Sequence, residues 1–294
     1  MIVGSLNIRG GGSSFKRNCI SKIIKSGNAD IFLLQETKLE VIDSVIAGSL
    51  WQNENVGWSF SKSEGRSGGL VILWRENIFD LVFSFKGTGY IGIKIWLKDS
   101  YYYICNIYSP CSFQGKKELW RDFLLLKTKY ADSEWLMGGD FNATKDSRER
   151  KGNCIGRSME SNCFSSFIDK SRLIDVPSSG NKFSWYSGDG RFMSKIDRFL
   201  VEDSLICRWG IVGQRIGSRS ISDHCPVWII INKENWGPKP FLVNNSWFED
   251  KDFLPFVEKE WEKLVVSGRG DYILKEKLRL LKDSLRRWNL EVFG

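Results

Sequence analysis

Trp135-Leu136-Met137-Gly138-Gly139-Asp140-Phe141-Asn142 is a short apolar run that closes on a carboxylate and an amide. Bounded by glycine and polar residues, it reads as a buried strand whose far end presents Asp140 and Asn142. The arrangement recurs along the chain. Asn7 follows Met1-Ile2-Val3-Gly4-Ser5-Leu6, and Glu36 follows Ile31-Phe32-Leu33-Leu34-Gln35. Asp197 lies inside the run Met193 to Val201. The only histidine, His224, stands in Ser222-Asp223-His224-Cys225-Pro226, directly before Val227-Trp228-Ile229-Ile230-Ile231. Any one Asp or Asn alone fits an ordinary turn, and a lone histidine alone fits a structural role. Together, on neighbouring strand ends, these groups would converge on one edge. Oxygen donors without a histidine or thiolate cluster suit a hard cation, magnesium or else manganese, better than zinc.

Further short apolar runs occur at Gly69 to Trp74, Ile78 to Phe85, Tyr90 to Leu97 and Tyr101 to Tyr108. Helical patterns lie between some of the runs, at Phe15 to Lys25, Leu119 to Tyr130 and Met159 to Lys170. So many consecutive strands predict packed sheets flanked by helices rather than strict alternation. Gly188-Asp189-Gly190 divides Phe183 to Val201 into a predicted hairpin. Asn235-Trp236-Gly237-Pro238-Lys239-Pro240 interrupts regular structure twice, which predicts one large domain over 1–234 and a separate segment over 235–294. In that segment Phe253-Phe256-Val257-Trp261-Leu264 and Leu274-Leu278-Leu281-Leu285-Trp288 keep helical spacing and predict two amphipathic helices with packing faces.

Charge points the same way. Forty-three basic residues against thirty-five acidic ones leave +8. Phe241 to Gly294 carries ten of each sign, so the whole excess lies in residues 1–240 and favours a polyanionic partner there. Cys19, Cys105, Cys111, Cys154, Cys163, Cys207 and Cys225 form no Cys-x-x-Cys pair, which fits a reduced nuclear or cytoplasmic setting and argues against secretion. No run approaches the length of a membrane span, and Asn7 and Arg9 interrupt the place of a signal peptide. Tyr130-Ala131-Asp132-Ser133 is similar to a polymerase motif but lacks its second metal-binding acid.

Seven motifs, in order, carry a resemblance. Leu6-Asn7-Ile8-Arg9-Gly10, Gln35-Glu36-Thr37-Lys38, Asn106-Ile107-Tyr108-Ser109-Pro110, Gly139-Asp140-Phe141-Asn142, Phe183-Ser184-Trp185, Lys195-Ile196-Asp197-Arg198-Phe199 and Ser222-Asp223-His224-Cys225-Pro226 resemble those of the endonuclease/exonuclease/phosphatase superfamily over about residues 1–232. Arg9-Gly10, Glu149-Arg150-Lys151-Gly152, Leu173-Ile174-Asp175-Val176-Pro177 and Met193 to Leu200 resemble the endonuclease of plant LINE-type, non-LTR retrotransposons. Phe241 to Gly294 resembles the segment that leads from that endonuclease to a reverse transcriptase, a domain this chain stops short of.

The resemblance implies an α/β (α+β) fold, a four-layer sandwich of two packed mixed sheets flanked by helices, with a C-terminal helical appendage. It implies a magnesium-dependent endonuclease that nicks DNA and leaves a 3′-hydroxyl. Glu36, Asn7 and Asp223 would hold the metal. Asp140 would orient or deprotonate water, Asn142 would hold the phosphate or water, and Tyr108 would donate to the phosphate. His224, oriented by Asp197, would donate to a non-bridging oxygen. Ser184, Arg9 and Trp185 would meet the substrate, and the family's hairpin approaches DNA. Where some members carry an acid two residues after the first asparagine, this chain has Arg9, which removes a second metal ligand. DNA is the expected partner, with no membrane and no stable protein partner. Two alternatives stand beside this: a hydrolase of abasic DNA, RNA or inositol and lipid phosphates, and an inactive nucleic-acid-binding remnant.

Overall fold

The computed structural model describes residues 1–51, 55–64, 67–130, 134–152, 158–232, 247–248 and 250–293. They divide into two compact units, Met1–Lys233 and Glu234–Gly294. The expected break at Asn235 to Pro240 lies outside the described residues, as do Ala131 to Ser133 and Cys154. The six described cysteines are free thiols.

The first sheet comprises β1 (Val3–Asn7), β2 (Ile31–Gln35), β3 (Val56–Glu64), β4 (Ser67–Arg75), β11 (Ser178–Gly180), β15 (Ile211–Ile216) and β16 (Val227–Ile231), in the order β11-β15-β16-β1-β2-β4-β3. The second comprises β5 (Asp80–Gly87), β6 (Tyr90–Leu97), β7 (Ser100–Tyr108), β8 (Glu134–Asp140), β10 (Leu173–Asp175) and β14 (Asp197–Glu202), in the order β10-β14-β8-β7-β6-β5. A small third sheet orders β12 (Trp185–Tyr186), β13 (Met193–Ser194) and β9 (Arg150–Lys151) as β12-β13-β9. The two large sheets are mixed. β1 runs parallel to β2 and β7 parallel to β8, while most other neighbours are antiparallel.

Three apolar layers account for the stacking. Ile31, Leu33 and Ile72 of the first sheet meet Ile93, Ile104, Leu136 and Phe199 of the second. On the outer face of the first sheet, Phe32, Leu34 and Leu73 pack on Ile20 and Ile24 of α1 (Ser14–Ser26) and Ala47 and Leu50 of α2 (Ser44–Trp51). On the outer face of the second, Tyr103, Cys105, Trp135 and Met137 pack on Trp120 and Phe123 of α3 (Phe113–Lys129) and Phe164 of α4 (Ser158–Ser171). β1 and β2 are buried at every position because helices cover one face and the other sheet covers the second. This is the expected four-layer sandwich.

Local chemistry sets the helix starts. The Ser13 and Ser112 hydroxyls accept the backbone N–H of Lys16 and Gly115, capping α1 and α3. With that cap α3 begins at Phe113, six residues before the apolar pattern expected it. α2 escaped the sequence reading because Val45-Ile46-Ala47-Gly48 has no polar face to set a period.

Polar contacts cross the sheet interface in its buried interior at Asn106. The Asn106 side chain on β7 donates to the carbonyls of Leu34 and Val71, both at 2.8 Å, and accepts from Gln35 Nε2 at 2.6 Å. All of these groups are buried. Gln35 also donates to Ser5 Oγ at 3.0 Å. The bonds fix the register of the sheets just below their shared edge.

The expected hairpin over Phe183 to Val201 forms only in part. β12 and β13 pair, Trp185 opposite Ser194, but from Asp197 the chain enters the second sheet as β14. A seven-residue helix, α5 (Asp203–Trp209), leads from β14 to β15. In the second unit α6 (Phe253–Lys263) and α7 (Gly270–Phe293) share a cluster of Trp247, Phe253, Leu281, Leu285 and Trp288. Leu274 and Leu278 of the expected stripe are exposed. Among the described residues no helix is long and apolar enough to cross a membrane.

Asn106→Ala would strand the Leu34 and Val71 carbonyls and a Gln35 donor in a buried layer, so we expect a loss of about 3 kcal/mol of stability, read from urea unfolding.

Candidate active site

The polar residues that close the apolar runs converge on one edge. Asn7 ends β1, Glu36 follows β2, Asp140 ends β8, Asp197 starts β14 and Tyr108 ends β7. Gly139 is required immediately before Asp140. Its φ is +137°, and a Cβ there would lie 2.1 Å from the Ile107 carbonyl oxygen. Glu36 and Asn142 adopt left-handed backbone, φ +49° and +47°, at the points where the chain leaves the sheet. Non-glycine residues seldom sit there, and such strain gathers at functional sites.

The Asn7 amide nitrogen joins the sheets. It donates to Glu36 Oε1 at 2.9 Å and to Asp140 Oδ2 at 3.0 Å. Its oxygen accepts the Arg9 N–H at 3.2 Å. Asp140 Oδ1 accepts the Asn142 N–H at 2.9 Å, and the Asn142 side chain donates to the Ser109 carbonyl at 2.7 Å.

Asp197 stands directly opposite Asp140 in the antiparallel β14–β8 pair. Two buried carboxylates so placed repel each other, and His224 offsets this. His224 Nδ1 contacts both Asp197 oxygens, at 3.0 and 2.9 Å, while Nε2 lies 3.9 Å from Asp140 Oδ2. Burial by itself would lower the His224 pKa. The Asp197 charge and hydrogen bond, aided by Asp140 and Asp223, outweigh it and raise the pKa to about 9. Burial and the Asp197 charge push Asp140 up to about 7, against the opposing pull of His224 and the Asn142 and Asn7 donors. Burial, then the Glu36 and Asp140 charges, raises Tyr108, whose hydroxyl is hydrogen-bonded to Glu36 and stays protonated.

A cleft of about 690 Å³ opens over these groups. Glu36, Tyr108, Asp140, Asn142, His224, Arg9 and Trp185 all line it. Asn7 and Asp197 lie beneath, fully or nearly fully buried. Ser184 departs from expectation. It is fully buried, and its hydroxyl accepts the N–H groups of Ile196 at 3.0 Å and Asp197 at 2.9 Å, so it positions Asp197 instead of touching substrate. Asp223 is engaged too, accepting from Arg9 Nη1 at 2.5 Å and from the Trp185 indole at 3.0 Å. The hairpin thereby grips the histidine loop: Cys225 N–H donates to the Ser184 carbonyl and Tyr186 N–H to the Asp223 carbonyl.

One lining residue had no sequence signal. Lys116, buried in the first turn of α3, donates to the Asn142 carbonyl at 2.6 Å and pairs with Glu160. The apolar pattern starts this helix at Leu119, beyond Lys116, so nothing local marks it.

A hard cation fits the oxygen donors at the cleft floor. Glu36 and Asp140 oxygens both lie within 3.0 Å of the single Asn7 nitrogen, so two carboxylates already share one small donor. Asn7 itself presents nitrogen there and would have to turn its amide to become a ligand. Ligand atoms of Asp140, Asp197 and His224 also fall within 4.8 Å of one another. That trio suits a metal poorly, because a ligand histidine must be neutral and His224 is held as a cation on Asp197.

The endonuclease/exonuclease/phosphatase family matches residues 4–224. The chain belongs to that family. A Bacillus subtilis exodeoxyribonuclease is 25% identical over 259 residues, covering 78% of this chain and 98% of its own. The transposon TX1 149 kDa protein of Xenopus laevis is 24% identical over 88% of this family member, which spans only 20% of that longer protein. Among solved structures, the AP endonuclease of Leishmania major superposes with a TM-score of 0.61 at 16% identity, over 78% of this chain and 86% of that one. The endonuclease domain of TRAS1, a telomere-specific non-LTR retrotransposon, gives 0.59 at 14% identity over 78% and 97%. These superpositions agree with the fold of two mixed sheets flanked by helices.

Because His224 is the only histidine, its imidazole resonance is unambiguous. We expect an NMR titration midpoint near about 9, falling to 7 or below in Asp197→Asn. The folded pKa lies above the unfolded one, so the pair stabilises the fold fully below about pH 6.5 and loses that contribution as pH rises through about 9.

Proposed function

We propose that this family member is a magnesium-dependent phosphodiesterase that nicks DNA and leaves a 3′-hydroxyl. The observation that carries the reading is the His224–Asp197 pair facing Asp140 across one cleft, a fixed cation beside a carboxylate tuned near neutrality. Phosphodiester hydrolysis needs a base for water, donors for the charge that builds on phosphorus-bound oxygens, and help for the leaving alkoxide.

Asp140 takes the first task. With a pKa near about 7 it is a stronger base than an ordinary aspartate and is still largely ionised above neutrality. The Asn142 N–H holds one of its oxygens, and the other, which accepts from the Asn7 amide and lies 3.9 Å from His224 Nε2, takes the proton once Asn7 turns. His224 serves the second task, with Nε2–H facing the cleft while Asp197 holds the ring and its charge. The Asn142 amide stands beside it as a further donor, and the Tyr108 hydroxyl becomes one in this reading once it leaves Glu36. Glu36, with Asp223 and a turned Asn7, would hold the metal. Bound there, a divalent cation withdraws charge from the phosphate and the leaving oxygen as a Lewis acid. Arg9 meets a phosphate in this reading once it leaves Asp223, and Trp185 offers its ring rather than its indole N–H, which Asp223 retains.

DNA as substrate is supported by the net positive charge of the catalytic part and by the exodeoxyribonuclease and transposon relatives. Likeness to the TX1 protein and the TRAS1 domain supports a retrotransposon endonuclease, in which residues 235–294 lead toward a reverse transcriptase. AP endonucleases among the structural neighbours favour abasic DNA as the second reading.

Supercoiled plasmid tests the proposal. We expect nicking with magnesium, none with EDTA, and a loss of at least about 100-fold in folded Asp140→Asn and His224→Ala. Nicks that a DNA polymerase extends without prior treatment establish the 3′-hydroxyl. Equal nicking by the folded variants refutes the assignment, and activity confined to abasic duplex selects the second reading. The pH profile should be bell-shaped, rising as Asp140 ionises near about 7 and falling as His224 loses its proton near about 9.

A further inference from the structure

A buried cation stands behind the turn that carries Asp140. Lys116, in the first turn of α3, is 2% exposed. Its ammonium donates to the Asn142 carbonyl at 2.6 Å and pairs with Glu160 in the first turn of α4. Taking an ammonium and a carboxylate out of water is costly, and an apolar pair of similar volume is often no less stable. Packing of the helices does not call for the charges. One turn along α3 and α4, Trp120 and Phe164 meet in the apolar core with ring centroids 5.4 Å apart. What Lys116 adds is a donor for Asn142. That residue lies two positions past Asp140, where the pairing of β8 ends, so no strand neighbour supplies a donor to its carbonyl. Its backbone is left-handed, φ +47°. Its N–H donates to Asp140 Oδ1 at 2.9 Å and its side chain to the Ser109 carbonyl at 2.7 Å. Lys116 is the third hold on one strained residue.

We infer that Lys116 is a positioning residue for the phosphodiester chemistry. It fixes Asn142 from behind and, through the Asn142 N–H, fixes the Asp140 carboxylate. The inference rests on the reading of Asp140 as the base. Lys116 itself touches no substrate in this role, because its ammonium is spent on Asn142 and Glu160. Without it the turn loses a partner that offsets the cost of a backbone conformation non-glycine residues seldom keep, and the Asp140 oxygen and the Asn142 amide lose their place together. A displacement of about 1 Å in groups that orient a reaction can cost about 100-fold in rate.

The test is Lys116→Met/Glu160→Met, which removes both charges and keeps their bulk. We expect a urea midpoint like that of the unaltered chain, kcat for nicking a short DNA duplex with magnesium at least about tenfold lower, and KM within about twofold. Glu160→Gln retains Lys116 and an acceptor for it, and should keep kcat within about threefold. Amide exchange in EDTA gives a readout that needs no turnover: the Asn142 N–H should exchange at least about tenfold faster in the double variant, while that of Phe199 in β14 keeps its rate. Unchanged kcat in the folded double variant, a loss confined to KM, or an equal loss in Glu160→Gln overturns the inference, as does unchanged exchange at Asn142. Should the double variant not fold, Lys116→Gln, whose shorter side chain stops short of the Asn142 carbonyl, is judged by the same two readouts. If the unaltered chain does not nick DNA while Asn142 exchange still quickens, the catalytic reading fails and the hold of Lys116 on the turn stands.

Discussion

Hydrogen bonds across the sheet interface govern the rest of the structure. Apolar layers hold two sheets together but allow them to slide, because dispersion and burial have no direction. Asn106 removes that freedom. Its amide satisfies one carbonyl from each of β2 and β4 and one Gln35 donor inside a buried layer, where any slip would leave several groups unpaired. Asn7 repeats the device one step nearer the edge, between Glu36 of the first sheet and Asp140 of the second. The cleft is thus assembled from two sheets whose relative position is set by amides rather than by hydrophobic contact.

Within that frame the charges are arranged in opposed layers. Asp140 and Asp197 face each other across a strand pair, an arrangement that costs energy without a cation. His224 supplies one and is itself held charged, so each group's titration depends on the other two. A second buried set lies on the outer side of the same strand, where Arg198, the residue after Asp197, binds Glu149 and Asp175. Removing one member of such a set leaves an uncompensated charge, which is the costly event. β14 therefore carries a layer beneath the cleft and an anchoring layer on adjacent residues, and the small third sheet hangs from the anchor.

The strand-end positions of Asn7, Glu36, Asp140 and Asn142 were legible because a buried strand leaves a plain apolar run, and polar residues at its end stand out. The helices of the second unit were legible for the same reason, through spacing, although Leu274 and Leu278 turned out exposed. α2 was not, since a helix without a polar face has no period to detect. Ser184 shows a different limit. Its residue type and position suggested phosphate contact, yet its hydroxyl is consumed by two backbone N–H groups beneath the cleft.

Sequence by itself determined which chemical groups are present, that they sit at strand ends, and that the layers would be sheets covered by helices, because hydrophobic period and turn residues are local properties. Tertiary structure alone decided the pairings: Asp197 against Asp140, Asp223 with Arg9 and Trp185, Lys116 beneath Asn142, and Glu149 on Arg198. Each joins residues distant in the chain, and whether a side chain is spent on a neighbour or left for a substrate depends on a register of a few ångströms that no local pattern encodes.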